Sequence, residues 1–173
     1  MPTARRLGST LPIVSTWGDF AAARPDLAEA GRDLLYQFGV GLAFLATVRP
    51  DGGPRVHPIC PLLTDVGIYA FIVPSPKQGD LRLDGRYSLH SFPRPDDENA
   101  FCLTGRATVI DDGQLRSSLS DQFVSERTLF SVPPPAAGDA LFEFSIERCL
   151  LTRTTGHGDP NPKHVVWSGR LNA

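Results

Sequence analysis

A lysine stands in the first turn of a short predicted helix, in the segment SPKQGDLRLDG that begins at Ser75. Ser75 is a good N-cap residue, Pro76 suits the first helical position, and Gln78 completes a Ser-x-x-Gln capping box. A cation is unfavourable there, because the helix N-terminus already carries about half a positive charge. A bound phosphate would remove the conflict by accepting the free backbone N–H groups and pairing with Lys77. Lys77 is therefore a candidate phosphate ligand; the alternative, a solvated surface lysine, stays open.

The segment RVHPICPLL, Arg55–Leu63, predicts an irregular strand. Pro58 and Pro61 cannot donate to a β-ladder, so one edge of this strand must face something other than a neighbouring strand, or the strand must be distorted. Spare backbone groups could bind a flat heterocycle that has several acceptors and one imide N–H. His57 could touch such a ring or donate a proton to it, which makes it the candidate catalytic residue; a purely structural role for His57 stays open. The alternative is an ordinary edge strand blunted by proline.

The histidines and cysteines show no spacing typical of a metal site. The four histidines have no metal-ligand spacing with each other or with a cysteine, so we expect no metal site. The cysteines are odd in number, lie far apart and each stand in an apolar stretch; they are Cys60, Cys102 and Cys149. This pattern predicts buried free thiols in a reducing compartment.

Short strands with short links position these residues. The predicted strands are Leu42–Val48, Arg55–Leu63, Ile68–Val73, Arg86–Phe92, Ala100–Ile110 and Ala140–Thr154, with a final short strand at Lys163–Gly169. The first three should form a meander, since each connection is too short for a crossover helix. Helical spacing predicts helices at Leu27–Phe38 and Gln114–Thr128. We predict a mainly β fold: one domain over residues 1–173, with an arm at 1–18, forming a small closed barrel of about six antiparallel strands with flanking helices.

Composition excludes two classes of partner. The formal net charge of −2 gives no field that would hold a nucleic-acid backbone. No apolar run approaches the ~18 residues that span a bilayer. The N-terminal segment has no compact apolar region followed by a cleavage site, so we expect a cytoplasmic protein.

One ordered set of residues resembles the pyridoxamine 5'-phosphate oxidase-like FMN-binding split barrels. The set is carried here by Arg55, Ser75, Lys77, Leu81, Asp84, Gly85, Arg86, Ser88 and Leu89. The strand LTGRATVI at 103–110 is similar to the next strand of that family. The resemblance covers residues 30 to 112 and, more weakly, the region of Trp167.

The resemblance implies a cofactor, a site and an assembly. Lys77, with Ser75 beside it, would bind the FMN phosphate. The strand that carries Arg55, Val56, His57 and Pro58 would run along the isoalloxazine ring. The strand ending at Ala70 and Phe71 would face the polar pyrimidine edge of that ring, and Trp167 is the candidate for the late tryptophan that contacts the flavin. The family pairs as homodimers with flavin sites at the interface.

The same comparison also implies limits on the activity. Pyridoxamine phosphate oxidases have a second lysine where this chain has Cys60, and the helix after DDGQ lacks their substrate-binding pattern in recognisable form. We therefore expect an FMN-dependent oxidoreductase acting on an unidentified small molecule, and not a true pyridoxamine phosphate oxidase. The alternatives are a non-enzymatic flavin- or haem-binding protein, or a reductase that uses the deazaflavin F420 with Lys77, Arg82 and Arg86 as cations for its acidic tail.

Overall fold

The computed structural model describes residues 15–128 and 131–169. Its helices are α1 (Trp17–Ala23), α2 (Pro25–Leu35), α3 (Pro76–Leu83) and α4 (Gly113–Ser125). Its strands are β1 (Tyr36–Gln37), β2 (Val40–Gly41), β3 (Ala43–Val48), β4 (Pro54–Ile59), β5 (Leu62–Leu63), β6 (Ile68–Ile72), β7 (Arg86–Ser91), β8 (Ala100–Val109), β9 (Ala140–Arg153) and β10 (Lys163–Ser168). Of the helices in this described part, none is long and apolar enough to cross a membrane.

The main sheet is antiparallel and curls into a half-barrel with helices outside it. Its strand order is β4-β3-β7-β8-β9-β6-β5, and β10 also pairs with β9. The two end strands, β4 and β5, are joined only by Cys60 and Pro61. Because consecutive Cα atoms lie about 3.8 Å apart, this link brings the two ends of the sheet within about 11 Å of each other. The mainly β split-barrel prediction is confirmed, although the ladder of the described residues does not close.

The predicted meander of the first three strands is confirmed only in part: β3 pairs with β4 and β5 pairs with β6, but the predicted middle strand at 55–63 is split into β4 and β5. β6 pairs with β5 and β9, and it does not pair with β4. The predicted strand at 55–63 breaks at Cys60–Pro61 because proline lacks the N–H that would continue the ladder. Gly41 lies against this break so closely that a Cβ there would stand 1.9 Å from the carbonyl oxygen of Pro61. The chain can therefore turn from one end of the sheet to the other at this point.

The folded core begins before the predicted arm ends. Residues 1–14 lie outside the described part, but Ser15 bridges to Ile146 and Trp17 is buried in the core. Trp17 opens helix α1, which the sequence analysis missed. Its start is fixed by a capping box in which Thr16 and Asp19 bind each other's backbone N–H. The buried rings of Trp17 and Phe20 lie side by side, with centroids 5.5 Å apart.

The helix predicted at Leu27–Phe38 begins at Pro25 and ends earlier, at Leu35. Tyr36 leaves the helix to pair with Gly41 in the small β1–β2 hairpin. The turn of that hairpin is formed by Phe38 and Gly39, both in the left-handed region, with φ of 57° and 77°.

Candidate functional site

The edge strand β4 is tied to helix α3 by a buried carboxylate. Arg55 Nε donates to Asp80 Oδ2 at 2.8 Å, and Thr47 Oγ1 on β3 donates to the same oxygen at 2.9 Å. The Asp80 side chain is 4% exposed and that of Arg55 is 29% exposed. A buried carboxylate of this kind is tolerated because it is paired and hydrogen-bonded. The contact holds α3 against β3 and β4 and fixes where its first turn lies.

The start of α3 agrees with the prediction in position but not in capping. Ser75 is the N-cap residue and Pro76 occupies the first turn, but Ser75 makes no side-chain cap. Ser75 Oγ donates instead to the carbonyl of Val73 at 2.8 Å, and Gln78 Nε2 donates to that of Ile72 at 2.7 Å. The predicted capping box is therefore wrong, because both side chains satisfy carbonyl groups at the end of β6. Among the described residues, no side chain caps the N-terminus of α3.

Lys77 lies in this uncapped first turn and is half-buried. None of the ion pairs between residues of the described ranges involves Lys77. Its pKa is lowered, mainly because burial removes water from the ammonium group, and the nearby Cys60 opposes this shift. Pro76 has no N–H and the N–H of Gln78 donates to the carbonyl of Ser75 at 3.0 Å, so among the described contacts of this turn the N–H of Lys77 itself is left for an anion, beside a partly desolvated cation.

His57 and Arg55 share one face of β4, while Val56 and Pro58 alternate with them on the other. Arg55 and His57 are half-buried; Val56 is 59% exposed and Pro58 is also exposed. Nε2 of His57 is buried and has no hydrogen-bond partner in the described part of the chain. A buried imidazole nitrogen without a partner is costly, so this atom is suited to receive a polar group from a ligand.

Strand β6 carries the two predicted ring contacts, Ala70 and Phe71, in two different environments. The side chain of Ala70 is 1% exposed and lies in the core, so only its backbone could meet a ligand. Phe71 is half-buried, lies against Phe123 of α4 and has the guanidinium of Arg116 5.1 Å from its ring centroid. Beyond Tyr69, β6 has no partner on its β5 side in the pairing of the described residues. This stretch immediately precedes the turn to α3.

Trp167 lies in a different part of the structure from Lys77 and His57. Its ring packs on Phe20 of α1, with the centroids 4.9 Å apart, and its strand β10 pairs with β9. The fold thus brings Arg55, His57 and Lys77 to β4 and α3, but it places Trp167 against α1. A contact between Trp167 and a cofactor in this group stays a prediction.

Sequence reasoning missed two residues, Asp80 and Arg127, and predicted the wrong burial for Cys60. Asp80 carried no signal, because its partner Arg55 is 25 residues away. Cys60 was expected to be buried but is exposed, since it follows the last residue of β4 at the corner with Pro61. Arg127 is 5% exposed and lies over the Phe123 ring, 4.0 Å from its centroid. The i, i+4 spacing of this aromatic–cation pair was the available signal for Arg127.

Comparison with known proteins identifies the fold and not a family. No protein-family model and no curated protein matches the chain. A heme binding protein from Mycobacterium smegmatis is 17% identical with a TM-score of 0.62, and the alignment covers 84% of this chain and 59% of that one. A Clostridium acetobutylicum protein related to general stress protein 26, of the pyridoxinephosphate oxidase family, is 14% identical with a TM-score of 0.55, covering 87% and 95%. The heme storage protein HutZ of Vibrio cholerae is 14% identical with a TM-score of 0.52, covering 71% and 89%.

Proposed function

We propose that this protein binds FMN at the opening of the half-barrel and acts as a flavin-dependent oxidoreductase on a small molecule. The observation that carries the proposal is Lys77, a half-buried cation without a counter-ion in the described residues, in the first turn of a helix without a side-chain cap. A terminal phosphate supplies the missing anion and the missing acceptor together. FMN has such a phosphate, and the fold is shared with a protein described as belonging to the pyridoxinephosphate oxidase family.

The edge of β4 and His57 support a place for the flavin ring. β4 ends the sheet, so the backbone groups on its outer edge have no ladder partner in the described part. Nε2 of His57 is buried without a partner and would meet a polar atom of the ring. Arg55, held by Asp80, would fix the strand along the ring. A bound flavin supplies hydride or electron transfer, and these residues bind, orient and shield it.

The proposed activity is not vitamin B6 phosphate oxidation. The exposed Cys60 stands where the resembled oxidases have a lysine, and it cannot replace a permanent positive charge. The substrate is therefore a different small molecule from the one those oxidases use.

Haem is the second candidate cofactor, because two solved structures of the same fold are named for heme binding or storage. In this protein, the imidazole of His57 has a buried nitrogen without a partner among the described residues, and it is the group that would bind the haem iron. F420 is a weaker third candidate. Arg86 already donates to both carboxylate oxygens of Asp84, which leaves fewer cations for an acidic tail.

We also propose a homodimer formed through the outer face of the sheet. Register places Phe44, His90, Cys102, Leu150 and Val166 in one row across five strands. Phe44 of the inner strand β3 is 37% exposed and Val166 of the edge strand β10 is 49% exposed, so the row presents apolar side chains at the surface. Sedimentation at micromolar concentration should give twice the chain mass of 18.8 kDa, and a monomer alone would contradict this.

The free thiols fit the proposed cytoplasmic location.

Cofactor retention tests the proposal. The purified protein is incubated separately with FMN, haemin and F420, passed through a desalting column and examined by visible absorption. We expect FMN to be retained, with an absorption band at about 450 nm. This band should bleach when a reduced nicotinamide cofactor is added in the absence of oxygen. Retention of haem in place of FMN would favour the second candidate, and retention of neither would contradict both. If FMN is retained but its band does not bleach, FMN binding would be supported and the oxidoreductase activity would be contradicted.

A further inference from the structure

A cavity lies beside the β1–β2 hairpin. It has a volume of about 330 Å³ and is lined by Phe38, Val40, Leu42, Cys60, Arg127 and Val132. This volume is near the lower end of the roughly 300–1,000 Å³ found for small-molecule pockets. Apart from the thiol and one guanidinium, the lining side chains are hydrocarbon. The cavity therefore combines an apolar wall with one cation.

The guanidinium of Arg127 is held in place but is not fully used. It is 5% exposed, its Nη1 donates to the carbonyl of Phe123 at 2.9 Å, and it stacks over the Phe123 ring. Nη2 is buried and has no hydrogen-bond partner among the described residues. A buried donor of a charged group without an acceptor is costly, so a ligand that supplies an oxygen there gains that free energy.

Glu126 does not meet this need. The shortest contact of the pair joins Glu126 Oε2 to Arg127 Nη1 at 3.5 Å, and it is too long for a strong charge-assisted bond. The other oxygen, Oε1, accepts from Tyr36 at 3.0 Å and from Gln122 at 2.8 Å. The other carboxylate oxygen, Oε2, is buried and, like Nη2 of Arg127, has no hydrogen-bond partner among the described residues.

Phe38 supplies an independent observation at the same cavity. It occupies the first central position of the two-residue hairpin turn with φ of 57°, and its side chain is 81% exposed. Two-residue turns with positive φ at both central positions strongly favour Asn, Asp or Gly there, so a phenylalanine is locally unfavourable. Unfavourable backbone conformations cluster at functional sites, so the exposed ring of Phe38 indicates a site at this hairpin. Its ring lines the cavity that Arg127 also lines.

We propose that this cavity binds a small, mainly apolar molecule that carries one carboxylate. The carboxylate would accept from Nη2 of Arg127, and the hydrocarbon part would lie on Val40, Leu42 and the ring of Phe38. A singly charged head suits one cation, whereas a phosphate dianion buried here would need further donors that the described lining lacks. This cavity is separate from the proposed cofactor site, because neither His57 nor Lys77 lines it.

Calorimetric titration of the cofactor-free protein with three naphthalene probes tests the assignment. The probes are 2-naphthoate, its neutral amide 2-naphthamide and the dianion 2-naphthyl phosphate. We expect 2-naphthoate to bind about 10- to 100-fold more tightly than 2-naphthamide, the range of one charge-assisted hydrogen bond. Arg127→Met keeps the apolar stem and should remove this difference, leaving the two probes nearly equal. Tighter binding of 2-naphthyl phosphate than of 2-naphthoate would overturn the carboxylate assignment.

Phe38→Asn is the second variant, and it guards against a simple loss of folding in Arg127→Met. Asparagine is preferred at this turn position, so the melting temperature should stay the same or rise. The affinity for 2-naphthoate should nevertheless fall about 3- to 10-fold, since the ring contact is lost. Unchanged affinity in Phe38→Asn, or equal binding of 2-naphthoate and 2-naphthamide by the unmodified protein, would overturn the proposal.

Discussion

Arg55 and Asp80 form an ion pair that joins the edge strand β4 to helix α3, with 2.8 Å between Nε and Oδ2. The two residues are 25 positions apart, and each belongs to one side of the candidate cofactor site. Thr47 adds a second hydrogen bond to the same carboxylate oxygen. The position of Lys77 relative to β4 is therefore set by a buried charge pair and not by the helix alone.

We expect Asp80→Ala to destabilise the protein by about 3–5 kcal/mol, because it leaves Arg55 without its counter-charge in a partly buried place. Asp80→Asn keeps an acceptor oxygen and should cost less. Urea unfolding measures both changes. Asp121, an exposed residue of α4, gives the matched control, and Asp121→Asn should change the free energy of unfolding by less than about 0.5 kcal/mol. A similar small change in Asp80→Ala would show that the pair contributes little.

We expect His57→Leu to weaken the binding of FMN and of riboflavin by the same factor, about 3- to 10-fold. The reason is that His57 is expected to meet the ring, which both ligands have, and one hydrogen bond contributes about 0.5–1.5 kcal/mol. Flavin fluorescence titration with both ligands measures the two factors. A loss confined to FMN would place His57 at the phosphate instead.

Tyr36 gives the protein a defined alkaline pH dependence. Burial raises its pKa to about 12 from the ordinary value of 10.0. Between these two values the unfolded chain loses the phenolic proton first, so the stability that this group contributes is complete below pH 10.0 and is lost as the pH rises towards about 12. Tyr36→Phe should remove this part of the decline, which the difference between the unfolding curves of the two proteins isolates. Curves that stay parallel from pH 9 to 12 would contradict the assignment.

The three cysteines should react with a thiol reagent in order of their exposure. Cys60 is exposed, Cys102 is half-buried, and Cys149 is buried with its pKa raised to about 12 by desolvation. Only the thiolate reacts, so Cys149 should react only after unfolding. Ellman's reagent at pH 8 should modify Cys60 first, and Cys60→Ser should remove the fast phase. A fast phase that survives this substitution would contradict the exposed position of Cys60.

Local patterns predicted most of the elements but not their long-range pairing. The strands β3, β7, β8, β9 and β10 and the helix α4 lie within a few residues of their predicted positions, because alternation and helical spacing are local signals. The pairing of β6 with β9 joins residues as far apart as Tyr69 and Glu143, and no local pattern encodes it. Helix α1 could have been found, since Thr16 and Asp19 form a recognisable capping pair.

The candidate site was predictable only in part, for a related reason. The position of Lys77 in the first turn of a helix followed from Ser75 and Pro76. The burial of Asp80 and Arg127 did not follow, because a charged side chain is buried only where tertiary partners receive it, as Arg55 and the carbonyl of Phe123 do. The capping box failed because the end of β6 left two carbonyl groups that competed for Ser75 and Gln78.

In the proposed complex, Lys77 binds the phosphate of FMN. Lys77→Ala removes one charge-assisted contact, worth on the order of 1.5–3 kcal/mol. This corresponds to roughly 10- to 150-fold weaker binding of FMN. Riboflavin has the same ring but no phosphate, so its affinity should change little. Lys163, the exposed first residue of β10, gives the matched control, and Lys163→Ala should bind both ligands as the unmodified protein does.

The direct measurement is a flavin fluorescence titration of the unmodified protein, Lys77→Ala and Lys163→Ala with FMN and with riboflavin. In Lys77→Ala we expect a large loss of affinity for FMN and a small loss for riboflavin. In Lys163→Ala we expect no loss of affinity for either ligand. Equal losses for the two ligands would mean that Lys77 supports the fold or the ring. No loss for either ligand would contradict the claim and make Lys77 a solvated lysine in an unfavourable position.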